Sequence, residues 1–217
     1  MARVLLIGAT GATGKRVLAE LLEDPAVSQV TTVTRRPLDS ASPKLKQLVV
    51  EDFDKLESTP LDEWKGNEVI INTLGTTRAI AGSGEAFVKV ERDYSQSAMK
   101  MAKQAGIDTS ITVSAMGANA NVPGPLWFHP LLYTKTLGEK ENAALGFNHT
   151  VIFQPGMLDR ETEGEPWWYS KLPLSRLPVS TLAKAVVHAV KAKSLDSQVT
   201  RISGNHNITR FASGANL

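Results

Sequence analysis

The chain contains no cysteine. Disulfides, thiolate nucleophiles and Cys-rich zinc sites are thereby excluded, while the redox compartment is left open. Net charge is also nearly absent: 24 Lys plus Arg against 22 Asp plus Glu leaves +2. No stripe of Lys and Arg stands out, so no nucleic-acid partner is expected. Long apolar runs are missing as well. A transmembrane span needs about 18 or more apolar residues, and no stretch provides them. The N-terminal run from Val4 to Ile7 stops at glycine, short of a signal peptide's apolar core. The histidines, His129, His149, His188 and His206, show no metal-ligand spacing. The expectation is a soluble intracellular protein, cytoplasmic, with no transmembrane segment and no metal.

What is present is an ordinary globular composition, 42% hydrophobic and 21% charged over 217 residues. That length fits one domain, or one domain with a small appendage. Strand-like and helix-like stretches alternate. Arg3–Gly8, Gln29–Thr34, Lys46–Val50, Glu68–Thr73, Thr109–Ser114, Thr150–Phe153 and Val199–Ser203 read as strands. Gly14–Glu23, Gly84–Ala105, Pro130–Leu145 and Ser180–Ala192 read as helices, the last with Ser180 as N-cap. Strands separated by helices imply parallel βαβ units, and right-handed crossovers then give an α/β doubly wound parallel sheet. The expected architecture is Rossmann-like, a single domain over residues 1–217 with a small C-terminal substrate-side lobe. Two irregular segments, near 116–130 and 156–178, follow strands and fall at the ligand-binding edge of such a sheet. They hold Trp127, Phe128, Trp167, Trp168 and Tyr169, either an apolar wall for a hydrophobic or flavin-like substrate or a lobe core or subunit contact.

The most specific motif is the run Gly8-Ala9-Thr10-Gly11-Ala12-Thr13-Gly14, placed after a strand and opening a helix. Gly8 permits a tight turn, Gly11 lets backbone approach a pyrophosphate, and Gly14 lets helix and strand pack closely. The helix N-terminus supplies free N–H groups and partial positive charge to the same anion. An NAD site places Asp or Glu at the end of the second strand, about 20 residues on, for the ribose 2′-hydroxyl. Here Thr34-Arg35-Arg36 stands instead, and an Arg fork suits a 2′-phosphate. NADP(H) is therefore expected over NAD(H), with Lys15 and Arg16 adding to the field and an exposed basic turn as the bland alternative. Asp52-Phe53, after the third strand, is a candidate adenine pair, Asp52 accepting from the amino group; Phe53 as plain core is the alternative.

These segments, together with NTLGTTR (72–78), AGSGEAFVKVERDY (81–94), VSAMGA (113–118), YTKTLGE (133–139) and FQPGML (153–158), resemble the atypical short-chain dehydrogenases. The likeness is to the Tat-interacting-protein group and its fungal mitochondrial-surface relatives, and it covers roughly residues 2–160. The resemblance implies that Asn72, Leu74 and Gly75 line the nicotinamide ribose side, followed by Thr76, Thr77 and Arg78. It implies that Ser114 hydrogen-bonds a substrate carbonyl and that the Gln154-Pro155-Gly156 corner approaches the nicotinamide. It maps the family's catalytic tyrosine onto Tyr133, and the lysine four residues on onto Leu137. It also leaves open a peripheral place on the mitochondrial surface.

That last substitution bears on chemistry. A free tyrosine has a pKa near 10 and needs a neighbouring cation to act as acid or base at neutrality. Positions four apart share a helix face and positions two apart do not, so Lys135 points away from Tyr133 and Leu137 stands where the cation belongs. Lys140 lies two turns on, about 10 Å along the axis. Together with that shared face, the resemblance implies the Tyr133 hydroxyl on the nicotinamide side within reach of Ser114, and Leu137 beneath the nicotinamide ribose. Glu91 and Asp93 are expected in surface or helix-cap contacts. Three functions stay open: reduction of a small carbonyl, quinone or flavin-like acceptor with NADP(H); a non-catalytic NADP(H)-sensing module with a protein partner; and an isomerase or epimerase with resident cofactor.

Overall fold

A computed structural model describes residues 1–118, 130–161, 175–192 and 198–215. The elements run β1 (Ala2–Ile7), α1 (Ala12–Glu23), β2 (Val27–Thr34), β3 (Leu45–Val49), β4 (Val69–Asn72), α2 (Arg78–Ala81), α3 (Gly84–Val88), a π-helical turn (Lys89–Asp93), α4 (Tyr94–Gln104) and β5 (Thr109–Val113). They continue as α5 (Pro130–Ala144), β6 (His149–Gln154), β7 (Leu158–Asp159), β8 (Leu177–Pro178), α6 (Val179–Lys191), β9 (Val199–Ser203) and α7 (Asn205–Ala212). Seven strands form one sheet in the order β3-β2-β1-β4-β5-β6-β9, and every pairing is parallel. The chain direction across the sheet reverses between β1 and β4, and ligands of doubly wound sheets bind at that switch point.

Alternation along the strands decides what covers each face. Val4 and Leu6 of β1, with Val69 and Ile71 of β4, pack against Val17 and Leu21 of α1, Leu182 and Val186 of α6, and Phe211 of α7. Leu5 and Ile7, with Ile70, face the other way onto Ala98, Met99 and Ala102 of α4, together with Phe53, Trp64 and Phe147. Successive side chains of a strand point to opposite faces, so a strand buried on both sides reads as an unbroken apolar run. Each fully buried Leu, Ile or Phe contributes about 1.5–3 kcal/mol relative to exposure.

The structure departs from the sequence reading in three places. The long helix expected over Gly84–Ala105 is interrupted by the five-residue π-helical turn. Ser180 is not the cap of α6: the helix begins at Val179, and the Glu161 carboxylate accepts from both the Ser180 N–H (2.8 Å) and its hydroxyl (2.9 Å). Glu161 sits at φ +52°, a left-handed position for a non-glycine residue, fixed by this double contact. Helices α2 and α7 and the two-strand pairing of β7 with β8 were not expected. The aromatics Trp127, Phe128, Trp167, Trp168 and Tyr169, and His129, lie outside the described residues.

Asp24 closes α1 and ties it to α6. Its carboxylate takes the Lys191 ammonium at 2.7 Å and the Ala26 N–H at 2.8 Å. The Lys191 hydrogen bond, chiefly, holds this carboxyl below its ordinary value of 3.8, the Ala26 N–H adding to it and burial opposing both. A carboxyl lowered by folding stabilises fully above the unfolded value and loses that stabilisation as the folded group takes its proton. Asp24→Asn is therefore expected to cost about 1 kcal/mol near neutral pH in urea unfolding. The deficit should shrink as pH falls below 3.8. A deficit that stays constant into acid would show that the ion pair contributes nothing.

Candidate functional site

The first turn is dictated by contact. Gly8 has φ +89°, and a Cβ there would stand 2.7 Å from Leu74 N and Thr73 Oγ1. A Cβ on Gly14 would meet the Gly8 carbonyl oxygen at 2.0 Å. Both positions therefore exclude a side chain, one by turn geometry and one by the approach of α1 to β1. Gly11 differs: its φ is −75°, and an added Cβ would have only the Gly8 carbonyl within reach, at 3.4 Å. It is the N-cap of α1 and no side chain caps the helix, so first-turn N–H groups around Ala12 and Thr13 have no capping acceptor.

Beside this turn opens a cleft of about 830 Å³. Gly8, Ala9 and Thr10 form one end, Thr34, Arg35, Arg36 and Pro37 another, and Glu51, Phe53, Leu74, Val90 and Tyr94 complete the walls. Arg35 and Arg36 are exposed, and no carboxylate pairs with either among the described residues. The Arg35 guanidinium sits 6.0 Å above the Phe53 ring, which in turn meets Tyr94 edge-on at 5.5 Å. Phe53 is thus both core and cleft wall. Asp52 is placed differently from expectation: its carboxylate accepts from the Asp54 N–H at 3.0 Å and caps a short 3-10 helix, while Glu51 faces the cleft.

The loop after β4 is held from below. Asn72 donates to the Ser95 hydroxyl and accepts from the Leu74 N–H, while Thr73 donates to the Ile7 carbonyl. Thr76 N–H donates to Glu91 Oε1 at 2.5 Å. The expectation of a surface role for Glu91 fails: its side chain is 1% exposed. Lys135 Nζ stands 2.6 Å from Glu91 Oε2, a charge contact without hydrogen-bond alignment. The π-helical turn carries this carboxylate, in keeping with the frequency of such turns at functional sites.

The nicotinamide-side candidates lie on neighbouring strand ends. Ser114 follows β5; its N–H donates to Phe153 O, and its buried hydroxyl has no hydrogen-bond partner among the described residues. Tyr133 therefore makes no bond to Ser114. It is 39% exposed and lies near Arg92, whose pKa is raised chiefly by its bidentate contact with Glu141 and in small part by Tyr133. Pro155 follows β6, its carbonyl taking the Met116 N–H at 2.8 Å. Gln154 donates to Ala118 O (2.6 Å) and to Glu139 Oε1 (2.9 Å), so a buried carboxylate on α5 braces the stretch after Ser114. Leu137 is part-buried and carries no charge toward the tyrosine. The roles of Glu91, Lys135 and Glu139 were missed because their partners lie far away in sequence, and Glu51 because nothing in the sequence distinguishes it from its neighbour Asp52 as a cleft residue.

An open helix start, a turn that excludes side chains and an unpartnered serine hydroxyl at the next strand end fit a dinucleotide. The comparisons agree. A family described as NAD(P)H-binding matches residues 8–197. The FMP52 mitochondrial protein of Candida albicans is 40% identical over 157 residues, which span 70% of this chain and 66% of that relative, so the match covers about two thirds of its length. The fmp52 mitochondrial protein of Emericella nidulans is 36% identical over 169 residues, 75% of this chain and 70% of the relative. The solved structure of MoeE5 in complex with UDP-glucose and NAD superimposes with a TM-score of 0.70 at 18% identity, covering 98% of this chain and 81% of that one. The last likeness is one of fold alone. The chain belongs to the NAD(P)H-binding family of Rossmann proteins, as an atypical short-chain dehydrogenase/reductase related to FMP52. The relatives are named as mitochondrial, which overturns the cytoplasmic expectation. Composition and apolar patterning carried no signal of that location; only the resemblance to fungal mitochondrial-surface relatives left it open. Among the described residues no helix is long and apolar enough to cross a membrane.

Gly11→Ala and Gly14→Ala separate ligand approach from packing. Gly14→Ala is expected to cost about 1–3 kcal/mol or more, because a backbone carbonyl must move. Gly11→Ala should stay within about 0.5 kcal/mol of the parent in urea unfolding, yet weaken NADPH in a binding titration. Unchanged binding by folded Gly11→Ala would remove the pyrophosphate from this turn.

Proposed function

We propose that the protein is an NADP(H)-dependent reductase of a small carbonyl, quinone or flavin-like acceptor. The observation that carries this reading is the pair of exposed, unpaired cations, Arg35 and Arg36, on the same cleft as Gly8–Thr10. An Arg fork binds a phosphate through two charge-assisted hydrogen bonds. First-turn N–H groups of α1 receive the pyrophosphate, Phe53 and Tyr94 flank the adenine, and Glu51 is an acceptor on that wall. Leu74, Gly75 and Thr76 lead toward the nicotinamide ribose, with Pro155 beside it. Bound NADP(H) supplies a hydride to the acceptor. The Ser114 hydroxyl, left without a protein partner, donates to the acceptor oxygen. From the names of the relatives we carry over a mitochondrial location.

Tyr133 has a lesser role in this reading. Leu137 brings no cation to Tyr133, and nearby Arg92 is engaged by Glu141, so Tyr133 serves as a hydrogen-bond donor and not as a base. Alcohol oxidation is then slow, while reduction of a reactive acceptor survives with the proton drawn from water. The uncharged Leu137 and the exposure of Tyr133 equally favour a second reading, a non-catalytic NADP(H)-sensing module whose bound state presents a surface to a protein partner. Measured NADPH binding without turnover across a carbonyl, quinone and flavin panel would decide for the sensor.

Arg35→Asp is expected to weaken NADPH by about ten- to a hundredfold and NADH far less. Equal affinity of the parent protein for the two dinucleotides would refute the NADP(H) assignment. Leu137→Lys is expected to lower the tyrosine pKa and raise carbonyl reduction, with the gain abolished by adding Tyr133→Phe. Rapid alcohol oxidation by the parent, lost in Tyr133→Phe, would mean that another cation already serves the tyrosine.

A further inference from the structure

The lysine of the YTKTLGE stretch has its charge engaged elsewhere, and where it is engaged suggests a task. Glu91 uses its two oxygens separately: Oε1 accepts the Thr76 N–H, and Oε2 faces the Lys135 ammonium at 2.6 Å. The carboxylate also lies against Gly75, where an added Cβ would stand 3.5 Å from Oε1. The side chains are 1% and 13% exposed, so both charges are largely desolvated. Such a pair adds little net stability, but removing one partner leaves an uncompensated buried charge, with strong local effect. No helical periodicity calls for Glu91 to point inward; the π-helical turn carries it to the loop.

We propose that Glu91 and Lys135 are a positioning pair, which holds the Leu74–Thr76 loop in the shape that receives the nicotinamide half of the dinucleotide and ties that loop to α5. Neither residue touches the reacting atoms. The inference rests on the dinucleotide reading of the cleft, but not on the choice between NADP(H) and NAD(H). Helix α5 has other anchors: Arg92 grips Glu141, and Gln96 donates to Gly138 O and Asn142 Oδ1. Loss of Lys135 therefore leaves the helix docked and disturbs the loop selectively. The Arg35, Arg36 and Phe53 side of the cleft is held by β2, β3 and a 3-10 helix, whereas Val90 and Tyr94 reach it from the π-helical turn that carries Glu91 and from the residue after that turn.

The test compares a whole dinucleotide with its adenine fragment. NADPH and adenosine 2′,5′-bisphosphate are titrated against the parent and Lys135→Met, with NADH and ADP as the matched pair without the 2′-phosphate. If the competent loop falls to about a tenth of the population in Lys135→Met, apparent dinucleotide affinity falls about tenfold. The fragment should change by no more than about twofold, because Arg35, Arg36 and Phe53 lie on elements other than those that carry the pair. Lys135→Arg keeps the charge and should retain most of the affinity. Glu91→Gln keeps an acceptor for Thr76 and should weaken the dinucleotide less than Lys135→Met, and combining it with Lys135→Met should recover part of the loss by removing the unpaired charge. Equal loss of dinucleotide and fragment, or no loss of either, overturns the proposal. Should Lys135→Met fail to fold, Glu91→Gln alone decides: a loss confined to the dinucleotide supports the pair, and unchanged or parallel binding overturns it. A parent protein that binds NADH and ADP more tightly than the phosphorylated probes refutes the NADP(H) assignment, and the pair is then judged on NADH against ADP.

Discussion

The ligand edge of this protein depends on one close approach, that of Gly14 to the Gly8 carbonyl. With hydrogen in place of a side chain at both positions, α1 can leave β1 at the angle that aims its first N–H groups outward from the sheet. A methyl at Gly14 would collide with that carbonyl, and one at Gly8 would collide with the loop after β4. The two glycines therefore set the spacing between β1, α1 and β4 together. Because β1 and β4 flank the point where strand order reverses, the same contact sets the shape of the crevice.

Helix α5 is held differently from the helices packed on the sheet. Helices α1, α6 and α7 dock through Val, Leu, Ile and Phe against alternate residues of the central strands. Helix α5 buries Thr134, Thr136, Glu139 and Asn142, with Lys135 mostly covered. Its polar groups meet the loops of the ligand edge: Lys135 with Glu91 beneath Thr76, and Glu139 with Gln154 beside Ala118. Directional contacts suit a helix that has to place loop backbone to within a fraction of an ångström, where apolar packing would allow more adjustment.

How much of this was legible in the sequence follows from the range of each interaction. The glycine run declared itself because its constraints act over seven consecutive residues. The strands declared themselves because burial on both faces leaves an apolar run such as VIIN. Arg35 and Arg36 were legible by their fixed distance from that run, and both stand on the cleft. For Asp52-Phe53 the pair alone did not show that the Asp52 carboxylate also caps a 3-10 helix, or that the neighbouring Glu51 lines the cleft. The π-helical turn has no compositional mark, so one uninterrupted helix was read across it. Glu91 and Lys135 are joined only by the tertiary structure, and neither residue's neighbours announce the other. Ser180 resembled a cap by type, but the acceptor came from Glu161, 19 residues earlier.

The polar face of α5 also bears on the order in which the molecule comes apart. Apolar surfaces attract at any register, whereas a buried ammonium, carboxylate and amide are favourable only once their partners are in place. Helix α5 thus has little reason to settle before the loops it braces have formed, and little reason to stay when they open. The sheet with α1 and α6 is then expected to be the more durable body, and α5 with the ligand edge to open together as a shallower unit. Ligand bound at that edge would act as the missing part of its core, so occupancy and the order of α5 rise and fall together.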